Sequence, residues 1–225
     1  MCGRFQLSVK AKEITERFNV KLFDDLYSPR FNCAPSQNLP VITNAEPETV
    51  VFYQWGLIPY WSKNRNIGFK LINARAETID RKPAFKQAFM RRRCLIPANG
   101  FFEWRKNDKV PFRIFLKNEQ LFAMAGIWDT WKDNEGKDIH TFSIITTEAN
   151  NKMKEIHWRM PVILSKQNER EWLHETNLYR LKKLLTPPDD NMIELYPVSD
   201  KINSPNNNGK ELIYPVNTEN QGLLF

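Results

Sequence analysis

In SVKAKEITERFNV, Ile14 and Phe18 stand four residues apart among polar neighbours. That spacing predicts a helix from Ser8, its N-cap, to about Val20. The stretch YSPRFNCAPSQNLPVI is rich in Pro and Asn and reads as an ordered loop entering a strand, and TVVFYQWGLIPYW is an apolar, strand-like run ending at a turn. A short helix is predicted over PAFKQAFMRRRC, with Pro83 in its first turn and Phe85 and Phe89 facing the core. Strands follow in CLIPANGFFEWR, VPFRIFLK, LFAMAGIWDTW and HTFSIITTEA, separated by the polar turns KNDK and KDNEGK. Helical patterns return in NNKMKEIH and QNEREWLHETNLYRLKKLL, and the segment from Thr186 onward carries the strand-like pieces ELYPVS and ELIYPV. With no internal repeat and no flexible linker, the pattern predicts one α+β domain dominated by antiparallel strands.

Composition narrows this picture. A chain of 225 residues, 41% hydrophobic, buries one good core or at most two small ones. No apolar run reaches the length that spans a bilayer, and the start lacks a basic segment followed by an apolar one, so a cytoplasmic protein without a membrane partner is expected. Cys2, Cys33 and Cys94 are too few and too scattered for a disulfide framework or a CxxC metal knuckle. A net charge of +7 fits either a partner that is a polyanion or a merely basic enzyme.

Candidate chemistry lies in several places. Arg81, Lys82, Lys86, Arg91, Arg92 and Arg93 fall within RKPAFKQAFMRRR without a single acid, a pattern in which a bound polyanion relieves repulsion. In WGLIPYWSKNRNIG, Trp55 reads as core, whereas Trp61, beside a turn and near Lys63 and Arg65, is a candidate for base stacking. INARAET places Asn73, Arg75 and Glu77 on one face of an extended strand. Glu103 sits between Phe102 and Trp104, where desolvation would raise its pKa toward neutrality. His157 and Arg159 close EIHWRMPVIL, and a lone histidine is more often structural than catalytic. Cys2 is unusual for a different reason. If Met1 is removed, it owns an α-amine and a thiol on adjacent carbons.

Taken in order, MCGRF, YSPRFNCAP, WGLIPYW, NARAET, RRRCLIPANGFFEW, SIITTEAN and IHWRMPVIL resemble the SOS-response-associated peptidase family, abasic-site processing proteins that crosslink to single-stranded DNA. The resemblance spans residues 1–213, leaving 214–225 as a C-terminal tail. It implies a barrel-like, mainly antiparallel β-core flanked by short helices. It implies catalytic roles for Cys2 as nucleophile and for Asn73, Glu103 and His157. DNA contacts are implied for Arg4, Trp61, Arg75, Thr146, Arg159 and the Arg91, Arg92, Arg93 triplet. One position departs from the family pattern: Trp158 stands where relatives carry a small polar or charged residue. No metal or organic cofactor is implied. The implied partner is abasic single-stranded DNA at replication forks or junctions, met by a monomer that is nucleoid-associated when bound.

The resemblance also implies the chemistry. A free α-amine has a pKa near about 7.7–8.0 against about 10.4 for lysine. At pH 7.4 roughly a quarter to a third of it is therefore neutral, compared with about 0.1% of a lysine. Such an amine adds to the open aldehyde of an abasic sugar, and the neighbouring thiol closes a thiazolidine ring. The same residues serve two other readings: an N-terminal-nucleophile or Cys-His-Asn thiol peptidase that at minimum removes Met1, and a single-strand-binding module whose N-terminus is incidental.

Overall fold

The computed structural model describes residues 2–117 and 121–217. Strand β1 (Arg4–Leu7) begins almost at the chain start, and Phe5, Gln6 and Leu7 are all buried. Helix α1 (Ala11–Phe18) starts later than its apolar spacing predicts. Ser8 is not its cap, because the Ser8 hydroxyl accepts from Gln6 Nε2 at 2.6 Å and its N–H is held by Asn99. Lys10 takes the N-cap position instead, its N–H bonded to the Glu13 carboxylate at 2.8 Å.

Strands β2 (Arg30–Cys33), β3 (Asn38–Thr43), β4 (Val50–Trp55) and β5 (Asn73–Arg75) precede helix α2 (Pro83–Arg91). After it come β6 (Arg93–Ala98), β7 (Gly100–Trp104), β8 (Pro111–Leu116), β9 (Phe122–Lys132) and β10 (Asp138–Glu148). Helix α3 (Asn151–Lys154), β11 (Arg159–Pro161), β12 (Ile163–Leu164), helices α4 (Lys166–His174) and α5 (Leu178–Lys183), and β13 (Ile193–Pro197) complete the order. The single helical pattern expected over 167–185 is thus two helices. Glu175 is extended, and the Asn177 side chain accepts the Tyr179 and Arg180 N–H groups to start a new one. ELIYPV is not a strand. Lys210–Ile213 form a 3₁₀ turn, and only Pro215 bridges back, to Val198.

The strands form two sheets. In the larger, the path β10-β4-β3-β6-β9 returns to β10 through a β9–β10 pairing, which closes a five-stranded barrel; β5 and β11 join β10, and β12 joins β9. The pairings of β10 with β4 and β5 are parallel, and the remaining ladders between named strands are antiparallel. The smaller sheet runs β13-β8-β7-β1-β2. The core lies inside the barrel and between it and β1, with Trp55 packed on Phe5 at 5.3 Å and on Phe142 at 6.2 Å, as expected for Trp55. Phe85 and Phe89 are buried from α2.

The segment after β13 wraps the smaller sheet. Asn208 Oδ1 accepts the Phe31 and Asn32 N–H groups on the outer side of β2, and Val216 N–H donates to Pro197 on β13. Between them, the Asn32 amide holds the carbonyls of Ile202, Ser204 and Asn207. The tail expected beyond residue 213 is described only as far as Asn217, and residues 218–225, like Met1, lie outside the described residues. Among the described residues no helix is long and apolar enough to cross a membrane.

Candidate active site at the chain start

Strand pairing brings the chain start to the acid. β1 and β7 run antiparallel with Arg4 opposite Phe102, so the residues just before Arg4 lie alongside Glu103. From the other side, the parallel β5–β10 ladder sets Asn73 opposite Ile144 and aims its amide at the same point. Asn73 Nδ2 donates to the Cys2 carbonyl at 2.9 Å, while its buried Oδ1 has no hydrogen-bond partner among the described residues. Cys2 is not a frayed end. It is fully buried, its Sγ 3.7 Å from the Arg4 carbonyl.

Burial sets the electrostatics. The Glu103 carboxyl is pushed up to about 7 by desolvation, against the pull of the positive charge at the N-terminus. Burial, and then the Glu103 charge, push the Cys2 thiol up, so it stays protonated at neutral pH. His157 is half-buried. Burial lowers its pKa, as do the charges of the N-terminus, Arg159 and Lys109, so the imidazole is neutral. Its Nδ1 lies 3.0 Å from the Arg159 N–H. The same nitrogen lies 3.1 Å from the Arg159 carbonyl, so the Arg159 backbone orients the ring. Among the described residues no group of three His, Cys, Asp or Glu side chains could hold a metal ion.

Around this centre the sequence-derived DNA contacts divide. Arg75 is exposed, with its guanidinium over the Trp158 ring. Trp61 is 49% exposed on a loop that the barrel holds firmly. Ile58 N–H donates to Thr141, Tyr60 N–H to Asp129, and Trp131 Nε1 to the Ser62 carbonyl. The loop leaves β4 through Gly56, whose φ of +123° suits glycine and where a Cβ would fall 2.8 Å from the Gly68 carbonyl oxygen. Arg4 is partly buried, donating to the Gly3 and Asn203 carbonyls. Thr146 is buried beneath Arg159, whose fork is bidentate on Glu77 at 3.1 and 3.0 Å and also reaches the Thr146 carbonyl. Glu77 itself lies past the end of β5, so Asn73, Arg75 and Glu77 do not share one strand face.

The arginine triplet requires a correction. Arg91 is exposed, but Arg92 pairs with buried Asp129 at 3.2 Å. Arg93 does not face solvent. Its guanidinium is buried on the carbonyls of Phe89, Met90, Trp172, Leu173 and Glu175, so none of it is left for phosphate. Asp129, which anchors both Arg92 and the Trp61 loop, escaped the sequence reading. Its signal was available, since Trp128 and Trp131 flank it in the acid-among-aromatics pattern that singled out Glu103.

Three comparisons bear on this site. A family model described as SOS response associated peptidase (SRAP) matches residues 1–205. The chain is 46% identical over 221 residues, 95% of its length and 99% of the relative's, to abasic site processing protein YoqW of Bacillus subtilis. It is 29% identical over 236 residues, 85% of its length and 66% of the relative's, to abasic site processing protein HMCES of Rattus norvegicus. A crystal structure of a protein from Bacteroides thetaiotaomicron superposes with a TM-score of 0.88 at 31% identity, covering 96% of this chain and 100% of that one.

Proposed function

The chain belongs to the SOS response associated peptidase family, and from that premise we propose that it processes abasic sites in single-stranded DNA by forming a covalent link through Cys2. The observation that carries this reading is the burial of Cys2 between the Asn73 amide and the raised carboxyl of Glu103. An incidental chain end has no reason to be built into the core at such polar expense.

Once Met1 is removed, the Cys2 amine attacks the open aldehyde of the lesion and water leaves to give an imine. Glu103, protonated for about half its molecules near pH 7, gives a proton to the sugar-ring oxygen as the ring opens and takes one back during amine addition. Neutral His157 holds the freed sugar hydroxyl and assists proton transfer there. The Cys2 thiol then adds across the imine: sulfur bonds to carbon, the thiol proton passes by way of Glu103 to nitrogen, and a saturated five-membered thiazolidine closes. Without the imine, β-elimination of the strand has no route, and the DNA stays intact.

A thiol kept protonated suits this order, because the amine makes the first bond. It does not suit a thiol peptidase, which needs a thiolate made by a lowered pKa. His157, with Nδ1 engaged by the Arg159 backbone, is oriented by its own loop rather than by a Cys-His-Asn relay. The test is intact-mass analysis of the protein incubated with an abasic single strand. The expected adduct has the mass of a protein starting at Cys2 plus the oligonucleotide minus one water. Cys2→Ala, which keeps an amine, should give only an imine that borohydride traps and heat reverses, with more strand cleavage. An adduct on protein retaining Met1, or a heat-stable one on Cys2→Ala, would sink the mechanism.

A further inference from the structure

Arg75 and Arg159 lie against the same indole, each guanidinium carbon 5.4 Å from the centre of the Trp158 ring, yet they are committed differently. Arg159 is 3% exposed, its charge met by Glu77 and its donors taken by Glu77 and Thr146. Arg75 stands exposed at the end of β5, and its guanidinium makes no hydrogen bond or ion pair among the described residues. Glu77 feels the Arg75 charge, but its oxygens are already engaged by Arg159.

The ring that holds Arg75 is itself fixed. Trp158 stacks on His157 with centroids 5.8 Å apart and planes at 27°, and its carbonyl accepts the Ala149 N–H at 3.0 Å. Its neighbours His157 and Arg159 are tied down through Met153 and the β10 ladder. A cation over an aromatic face is attracted by the ring quadrupole, an effect worth roughly two- to fivefold in occupancy at an exposed site. Unlike a carboxylate, the ring neither neutralises the guanidinium nor uses its planar fork of N–H donors, which fits the oxygens of a phosphate.

We propose that Trp158 is a positioning residue that holds Arg75 beside His157 as a preformed clamp for a backbone phosphate next to the reacting sugar. The proposal rests on the DNA reading of the site. Base stacking on Trp158 is the less favoured role, since two guanidinium groups and an imidazole already lie against the ring.

The experiment is a double-mutant cycle on binding of an undamaged single-stranded oligonucleotide across a salt series, using wild type, Trp158→Leu, Arg75→Ala and the double variant. Trp158→Leu should weaken affinity roughly two- to fivefold at low salt and flatten the log–log salt slope by up to about 0.7, one single-strand phosphate contact. In the Arg75→Ala background it should have no further effect, because the ring acts through that arginine. Trp158→Phe, which keeps an aromatic face, should recover most of the loss. With abasic DNA, Trp158→Leu should raise the half-saturating concentration more than it lowers the saturated crosslinking rate. An undiminished effect of Trp158→Leu in the Arg75→Ala background would overturn the proposal in favour of direct base stacking. Unchanged affinity and slope in Trp158→Leu would overturn it in favour of a passive ring. A wild type that binds the strand but forms no adduct overturns the abasic-site reading while the cycle still decides the clamp, and a wild type that does not bind it overturns both.

Discussion

The chain start and the end of helix α2 each gather buried polar groups, and they use burial in opposite ways. At the chain start, Cys2, Asn73 and Glu103 arrive from separate parts of the chain and are buried together; burial raises both the Cys2 thiol and the Glu103 carboxyl, and the Glu103 charge raises the thiol further. At the end of α2, three consecutive arginines part company: Arg91 stays in solvent, Arg92 meets Asp129, and Arg93 is drawn into the interior. In the first place, burial tunes groups that remain able to exchange protons. In the second, it consumes a charge to join backbone ends. Neighbours in sequence thus share less of a role than residues that strand pairing brings together.

The largest test of this contrast is kinetic. Glu103→Gln should slow single-turnover crosslinking by about 10²–10⁴-fold while leaving affinity for undamaged single strands nearly unchanged. Wild-type rates should follow a bell, rising as the amine loses its proton and falling as Glu103 loses its own near pH 7, and the variant should lack the falling limb. Wild-type rates in Glu103→Gln would reduce the chain-start cluster to structural packing.

Next comes stability at α2. Arg93→Ala strips a cation from five carbonyls and should cost on the order of 3–5 kcal/mol in denaturant unfolding. Arg91→Ala should stay within about 0.5 kcal/mol and reduce the salt slope of single-strand binding by about 0.7. Equal stability losses in the two would erase the distinction between them.

The third effect is a pH dependence of folding. Glu103 is raised from 4.5 to about 7 in the folded chain, so between those values the folded state binds more protons than the unfolded one. Its contribution is fully present below pH 4.5 and is lost as pH rises through about 7, a loss of about 3 kcal/mol. Glu103→Gln should therefore gain stability relative to wild type at pH 8 compared with pH 5, read from denaturant midpoints. A constant difference between the two pH values would mean the carboxyl does not titrate there.

Much of this was legible in the sequence wherever one residue type can do only one thing. A cysteine at position 2, an acid among aromatics and the Asn73 strand were found from local pattern, and the strands from Pro111 to Glu148 followed from alternation and polar turns, whereas CLIPANGFFEWR, read as one strand, is β6 and β7 in different sheets. Local pattern failed where partners are distant. Nothing near Arg93 announces the carbonyls of Trp172, Leu173 and Glu175. The Ser8 cap was lost to Gln6 and Asn99, the latter 91 residues away. β1 went unrecognised because four residues carry too little periodicity, and its three buried positions in succession break the expected alternation.

The segment that wraps the smaller sheet has a consequence for solubility. The larger sheet closes on itself and presents no free barrel edge, but β2 and β13 are the outer strands of an open sheet, the kind of surface on which chains add to one another. Asn208 occupies two outward N–H groups of β2, and Val216 takes the Pro197 carbonyl on β13, so one stretch of chain blunts both edges. A chain cut after residue 205 would keep Cys2, Asn73, Glu103 and His157 and still uncover those edges. Its defect would show as self-association that grows with concentration, in molecules whose chemistry is otherwise intact.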